Sequence, residues 1–310
     1  MLLTMKELLD EANRNNYAVA APNVTNEFDA RAVIAAAEEM KAPIILDVGP
    51  LQSPDFVLTG KYMCELANET DIPVALHLDH GGSVTGAKGN ERVLHDMMRA
   101  IMGGFTSVMV DRSCLPFEEN VRQVAEMTHI AHSVGVTVES ELGHVDDACK
   151  DRDERTSGLT DPAFAAEFVS RTGIDCLAVS IGNAHGTYAQ LPVMDFARLA
   201  EIKEATDIPL VMHGGSGSGD ENLYRVCRSG INKVNIYHDL CTSACMAVKN
   251  ADISGNGSYA FWTMVQDAIR KRTCELIKLF GSDGKAWTPS KTAVPQKEKL
   301  FSSITKIGSL

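Results

Sequence analysis

Eight short apolar runs alternate with amphipathic stretches along this chain, and that alternation limits the fold more than any other feature. The runs read as strands at 18–23 (AVAAPN), 43–48 (PIILDV), 74–79 (VALHLD) and 105–111 (FTSVMVD). Four more follow at 136–142 (VTVESEL), 175–182 (DCLAVSIG), 209–213 (PLVMH) and 232–237 (NKVNIY). Between them stand helical patterns such as DARAVIAAAEEMK, NERVLHDMMRAIMGG and VMDFARLAEIKEAT. Strand-helix units repeated eight times predict an α/β fold, a (β/α)8 (TIM) barrel, with a doubly wound open sheet as the less regular alternative. A closed barrel is also one of the few single-core folds that reaches 310 residues. The segments TDIPVALH (70–77) and TDIPLVMH (206–213) share one frame, as two units built alike should. The barrel domain is expected over 1–280. A long helical region follows strand eight, and a tail over 281–310, with Pro289 and Pro295, reads as an appended arm or subunit contact.

Composition removes several classes of function. The net charge of -12 leaves no basic face for a phosphodiester backbone, so nucleic acid is not expected as a partner. No long apolar span or signal-like segment is present, so no membrane association is expected. The 8 cysteines form no C-x-x-C pair and fit reduced thiols in a cytoplasmic protein. Thr4 and Glu7 have the spacing of a capping box, which marks an ordinary first helix.

Polar residues gather at the C-terminal ends of the predicted strands: Asp79-His80, Asp111, Glu139 and Glu141, Asn183 with His185, His213 and Asn235. Barrel enzymes place their chemistry at that face. One histidine at a strand end is ordinarily a hydrogen-bonded rim residue. Three of them, His80, His185 and His213, together with clustered acids, read as ligands of one zinc ion with an open position for a reactant. His77 shares strand parity with Asp79, so it is expected inside the barrel behind the ligands. His95, His129 and His132 fall on predicted helix surfaces.

After His213 the chain continues Gly214-Gly215-Ser216-Gly217-Ser218, five residues with almost no side-chain bulk. Such a bend lets backbone N–H groups face an anion, and Asp220 and Glu221 then open a helix. Beside a zinc ligand on strand seven, it reads as a phosphate cradle.

The segments AVAAPNV, PVALHLDHG, GFTSVMVDRS, VESELGHV, TGIDCLAVSIGNAHGTY, PLVMHGGSGSGDEN and INKVNIYHDL closely resemble the class II, zinc-dependent ketose-bisphosphate aldolases, in order over about residues 1–250. That family includes the fructose-bisphosphate and tagatose-bisphosphate aldolases. The resemblance implies a (β/α)8 barrel, commonly in homodimers or homotetramers, that cleaves a phosphorylated ketose reversibly to dihydroxyacetone phosphate and an aldehyde. It implies Zn2+ on His80, His185 and His213, and Asp79 as the acid/base at the aldehyde-derived hydroxyl. Asp111 and Glu141 match acids tied to a second or alternate metal site. Gly186, Gly214 and Ser216 match the region that holds phosphate and a monovalent cation, beside Gly215 of the cradle, and Asn235 matches a substrate-binding asparagine. An imine mechanism would need a lysine at the site. Strand six has none, and Lys233 on strand eight reads as a salt-bridged barrel residue.

The chain departs from the family in three places. The loop after strand five, HVDDACKDRDERTSG, has Cys149 where the family's proton-abstracting glutamate is expected. Asp146, Asp147, Asp151, Asp153 and Glu154 all remain open as the base. Strand eight ends Asn235-Ile236-Tyr237-His238, where the family has a phosphate-binding threonine in place of His238. His238 could still donate to an anion. Residues 83–92 are longer than the family's usual link. Two alternatives therefore stand beside the aldolase reading: the same chemistry on a different, non-fructose phosphorylated substrate, or a zinc phosphosugar-binding protein with impaired turnover.

Overall fold

A computed structural model of the chain describes residues 1–81, 90–143, 145, 158–186, 188–252, 254 and 257–288. The first half runs α1 (Met5–Arg14), β1 (Val19–Pro22), α2 (Glu27–Met40), β2 (Ile44–Val48), α3 (Phe56–Asn68), β3 (Val74–Leu78), α4 (Asn90–Gly103), β4 (Ser107–Val110) and α5 (Phe117–Ser133). The second half runs β5 (Thr137–Leu142), α6 (Pro162–Thr172), β6 (Cys176–Val179), α7 (Phe196–Ala205), β7 (Leu210–Met212), α8 (Asp220–Arg228), β8 (Ile231–Ile236), α9 (His238–Lys249) and α10 (Gly257–Phe280). The strands pair in parallel in sequence order and close into a barrel. At the seam, Val19 stands beside Lys233 and Pro22 beside Ile236. This is the (β/α)8 barrel that the alternation predicts.

Parallel strands are covered on both faces, so they read as nearly unbroken apolar runs. Strand parity still divides them. Ala20, Ile44, Leu46, Val74, Leu76, Val108, Val138, Leu177, Leu210 and Val234 belong to the core shared with the helices. The alternate residues, including Val19, Ala21, Ile45, Ala75, Met109, Ala178 and Val211, pack with Met5, Leu8, Leu9 and Ala12 of α1. Helix α1 thus seals the N-terminal end of the barrel. Its start is set by the expected box: Thr4 Oγ1 accepts from the Glu7 N–H at 3.3 Å, and Glu7 Oε2 accepts from the Thr4 N–H at 2.9 Å.

Above this apolar plug the inward positions turn polar. Asp47, His77, Glu139 and Lys233 form a middle layer with no solvent exposure. Glu139 was expected at the rim with Glu141. It lies one pleat below, because residues two apart on a strand share a face at different heights. Asp79, Asp111, Glu141, His213 and Asn235 form the layer nearest the C-terminal mouth.

Helices α9 and α10 extend the barrel at its C-terminal end, and α10 packs along α2, where Trp262 stacks on Phe28 with ring centroids 4.9 Å apart. Beyond α10 the chain runs back past the end of α2, with the Gly284 N–H bonded to Met40 O at 2.9 Å and the Ala286 N–H to Lys41 O at 2.8 Å. The remainder of the expected tail, 289–310, lies outside the described residues, as does most of the 83–92 link. Among the described residues, no helix is long and apolar enough to cross a membrane.

Candidate active site and metal centre

His80 follows β3, His185 lies in the loop after β6, and His213 follows β7. The three rings meet at the mouth. His80 Nε2 is 2.9 Å from His213 Nδ1, and His185 Nε2 is 3.5 Å from the same atom. A tetrahedral zinc with ligands at about 2.0–2.1 Å separates its nitrogens by roughly 3.4 Å, so the donor set fits such an ion. The far nitrogen of each ring is held by an oxygen. His80 Nδ1 meets Asp111 Oδ2 at 3.1 Å, His185 Nδ1 meets Val145 O at 3.0 Å, and His213 Nε2 meets Glu139 Oε1 at 2.9 Å. Oxygens behind the rings orient metal-binding imidazoles and turn their lone pairs to one centre.

The electrostatics agree with a site for positive charge. Burial opposes a charge on His80, but Asp79, Asp111 and Glu141 outweigh it and raise the ring to about 10. Burial lowers His185 and His213, and the neighbouring His80 adds to the effect. Glu141 is raised to about 8 by burial and by Asp111 beside it. His80 adopts φ +48°, a left-handed conformation unusual for a side chain of this size, and its ring reaches both Asp111 and His213 from that position.

Asp79 is clamped by two asparagines. Asn23 Nδ2 donates to Oδ2 at 2.9 Å, and Asn235 Nδ2 lies 3.2 Å from Oδ1. Burial works against ionisation of Asp79. His80, His213, Lys233 and the Asn23 bond overcome it and hold the carboxyl below its ordinary value. Asn235 also donates to Asp47 Oδ2 at 2.8 Å, which fixes its amide orientation.

These groups line a cavity of about 520 Å3 together with Gly49, Pro50, Leu51, Gln52, Gly186, Gly214, Ser216, Tyr237 and His238. The glycine-rich bend forms one wall. Gly214 has φ +64°, and a Cβ there would stand 2.1 Å from Ala184 O, so only glycine brings the β6 and β7 loops this close. Tyr188 ties the same loops by accepting from the Ala184 N–H at 2.7 Å and donating to Gly214 O at 3.0 Å. Part of the cradle is already committed: the Gly215 N–H goes to Asn235 O at 3.2 Å, and the Gly217 N–H goes to Asp239 Oδ1 at 3.1 Å. Ser216 Oγ accepts from the N–H groups of Tyr237 and Asp239 at 3.1 and 3.2 Å, which leaves its hydroxyl proton for a ligand.

A catalytic aspartate beside three convergent imidazoles on a barrel rim is what the sequence resemblance implies. The family model described as fructose-bisphosphate aldolase class-II matches residues 3–285. The chain belongs to the class II fructose-bisphosphate aldolase family. A fructose-bisphosphate aldolase of Geobacillus stearothermophilus is 38% identical over 294 residues, covering 92% of this chain and 99% of that protein. The Escherichia coli protein YdjI, described as uncharacterized, is 38% identical over 293 residues, covering 92% of this chain and 100% of its own. The solved structure titled as the YdjI aldolase of Escherichia coli superposes with TM-score 0.80 at 36% identity, covering 93% of this chain and 100% of that one. A putative fructose-1,6-bisphosphate aldolase of Coccidioides immitis gives TM-score 0.76 at 27% identity, covering 90% and 96%.

Membership in this aldolase family supports a lyase, and the family is generally metal-dependent. Of the aldolase-site residues named from the described part of the sequence, Asp79, His80, Asp111, Glu141, His185, Gly186, His213, Gly214, Ser216, Asn235 and His238 line this one cavity, whereas Gly215 does not and gives its N–H to Asn235 O. His80, Asp111 and Glu141 form a second group with ligand atoms within 4.8 Å of one another, sharing His80 with the trio. The five acids considered as the base, Asp146, Asp147, Asp151, Asp153 and Glu154, lie outside the described residues. Sequence reasoning missed Asn23, Asp47, Tyr188 and Gln52. Asn23 ends the run AVAAPN on the inward face, and that strand-end position was the one available signal. Asp47 interrupts an apolar run in the same way.

Proposed function

We propose that this chain is a zinc-dependent aldolase that cleaves a phosphorylated ketose reversibly to dihydroxyacetone phosphate and an aldehyde. The observation that carries the reading is the convergence of His80, His185 and His213, each oriented from behind by an oxygen, next to the clamped carboxylate of Asp79. A divalent ion held by these rings supplies Lewis-acid stabilisation of the negative charge that develops on the ketose oxygens. Asp79, ionised and oriented by Asn23 and Asn235, takes the proton of the aldehyde-derived hydroxyl during cleavage and returns it in synthesis. The Ser216 hydroxyl and the bend at Gly214 receive the phosphate, with Gly186 across the cavity. An acid in the loop after β5 handles the carbon-bound proton.

The substrate is not assumed to be fructose bisphosphate. Tyr237 and His238 line the cavity where the family has smaller residues, with Gln52 on the same cavity wall. That wall favours a phosphorylated ketose of different shape. A panel of ketose phosphates with coupled detection of triose phosphate separates the two substrates. A chelator is expected to abolish cleavage, zinc to restore it, and borohydride with substrate to leave it unchanged. Activity that survives chelation and is lost to borohydride overturns the proposal.

A further inference from the structure

Beneath His213 lies a charged layer of which the proposed chemistry uses only the Glu139 carboxylate, leaving Lys233 without a role. Lys233 Nζ is 2.8 Å from Glu139 Oε2, and Glu139 Oε1 is 2.9 Å from His213 Nε2. No side chain of the three is more than 1% exposed. We propose that Lys233 is a positioning residue that, through Glu139, sets which nitrogen of His213 presents its lone pair to the metal. The inference rests on the metal-dependent reading of the site.

A carboxylate offers only acceptors. Opposite Glu139, the Nε2 of a neutral His213 therefore carries the proton, and its lone pair is on Nδ1. Nδ1 is the atom turned toward His80 and His185. Lys233 contributes twice. It supplies a counter-charge to a fully buried carboxylate, and it occupies Oε2 so that Oε1 serves His213. Asp47 Oδ2 lies 3.9 Å from Nζ. The other two rings are supported differently. His185 uses the carbonyl of Val145, which needs no counter-charge, and His80 uses Asp111, whose Oδ1 also accepts the Ser113 N–H at 2.9 Å.

Three variants test the relay: Glu139→Gln, Lys233→Met and the pair together. In Glu139→Gln the single amide oxygen turns to the ammonium of Lys233, leaving the amide N–H groups facing His213 Nε2. That nitrogen must then accept, and the proton moves to Nδ1, where it blocks the metal. With Lys233→Met added, the amide oxygen is free to turn back and accept from Nε2–H. Zinc affinity is read by chelator competition, and the His213 tautomer by nitrogen NMR of labelled histidine rings in the metal-free protein. Glu139→Gln is expected to lose about 10–100-fold in zinc affinity, the range for groups that orient metal ligands. Lys233→Met alone is expected to weaken zinc binding as well, and the double variant to recover most of the loss with the wild-type tautomer. If Lys233→Met does not fold, Glu139→Gln against the double variant still decides. A double variant no better than Glu139→Gln, or an unchanged His213 tautomer in Glu139→Gln, overturns the relay. Zinc affinity unchanged in variants whose thermal midpoints fall makes the pair barrel filling only and overturns it too. A wild-type protein that binds no divalent metal sinks the functional reading instead, while the tautomer still reports on Glu139 and Lys233.

Discussion

Asp79 accepts from the Asn23 amide at 2.9 Å, and His80 Nε2 lies 3.8 Å from its Oδ1. Asp79→Asn keeps the shape and removes the proton acceptor. Its kcat is expected to fall about 10²–10⁴-fold, the range for a general acid or base, with metal content per chain unchanged. A kcat within a few-fold of wild type removes Asp79 from the chemistry. Gly214→Ala tests the backbone. The left-handed φ costs about 1–3 kcal/mol for a side chain, before the clash with Ala184 O is counted. A lowered urea midpoint checks this, and metal content should fall with it as the β6 and β7 loops part. At this scale the rim histidines were legible because residue type and strand-end position coincide. Asn23 and Asp47 were not, because a single asparagine or aspartate in an apolar run has many ordinary uses and its partners lie on other strands.

Strand parity is the strongest signal at the level of elements. The paired frames TDIPVALH and TDIPLVMH both aim their histidines inward, and both rings reach Glu139: His77 Nε2 at 3.7 Å and His213 Nε2 at 2.9 Å. Yet His77 lies within β3 while His213 lies just past β7, so the same frame gives one residue of the middle layer and one at the rim beside His80 and His185. At the other end of the barrel, Lys203 of α7 joins α1 and β8. Its Nζ donates to Asn13 Oδ1 at 2.5 Å and Asn232 Oδ1 at 3.2 Å. Burial lowers its ammonium from 10.5 to about 8, with Asp207 pulling the other way. The unfolded chain therefore binds more protons than the native one between about pH 8 and 10.5, and this group makes stability rise with pH across that window. Lys203→Met should flatten that rise in urea-unfolding curves taken from pH 7.5 to 10.5. An unchanged slope shows that the lysine is protonated alike in both states.

For the molecule as a whole, an ion held as proposed by His80, His185 and His213 would link the ends of β3, β6 and β7, parts of the barrel that are distant in sequence. Metal that binds only the native state adds about 2.7 kcal/mol when present at 100 times its dissociation constant. Chelation is therefore expected to lower Tm by several degrees, and zinc added in excess to restore it; a Tm indifferent to both argues against a native metal site. The amino-acid sequence by itself determined the eight-unit alternation, the inward and outward faces of each strand, and the end of the barrel where reactive side chains collect. These follow from local periodicity, which a chain carries residue by residue. The tertiary structure alone decided that Glu139 stands between Lys233 and His213, that Asn23 reaches Asp79, and that Asp239 takes one N–H of the glycine-rich bend. Those meetings depend on how far neighbouring strands are staggered when the sheet closes, and the stagger belongs to the closed barrel, not to any one strand.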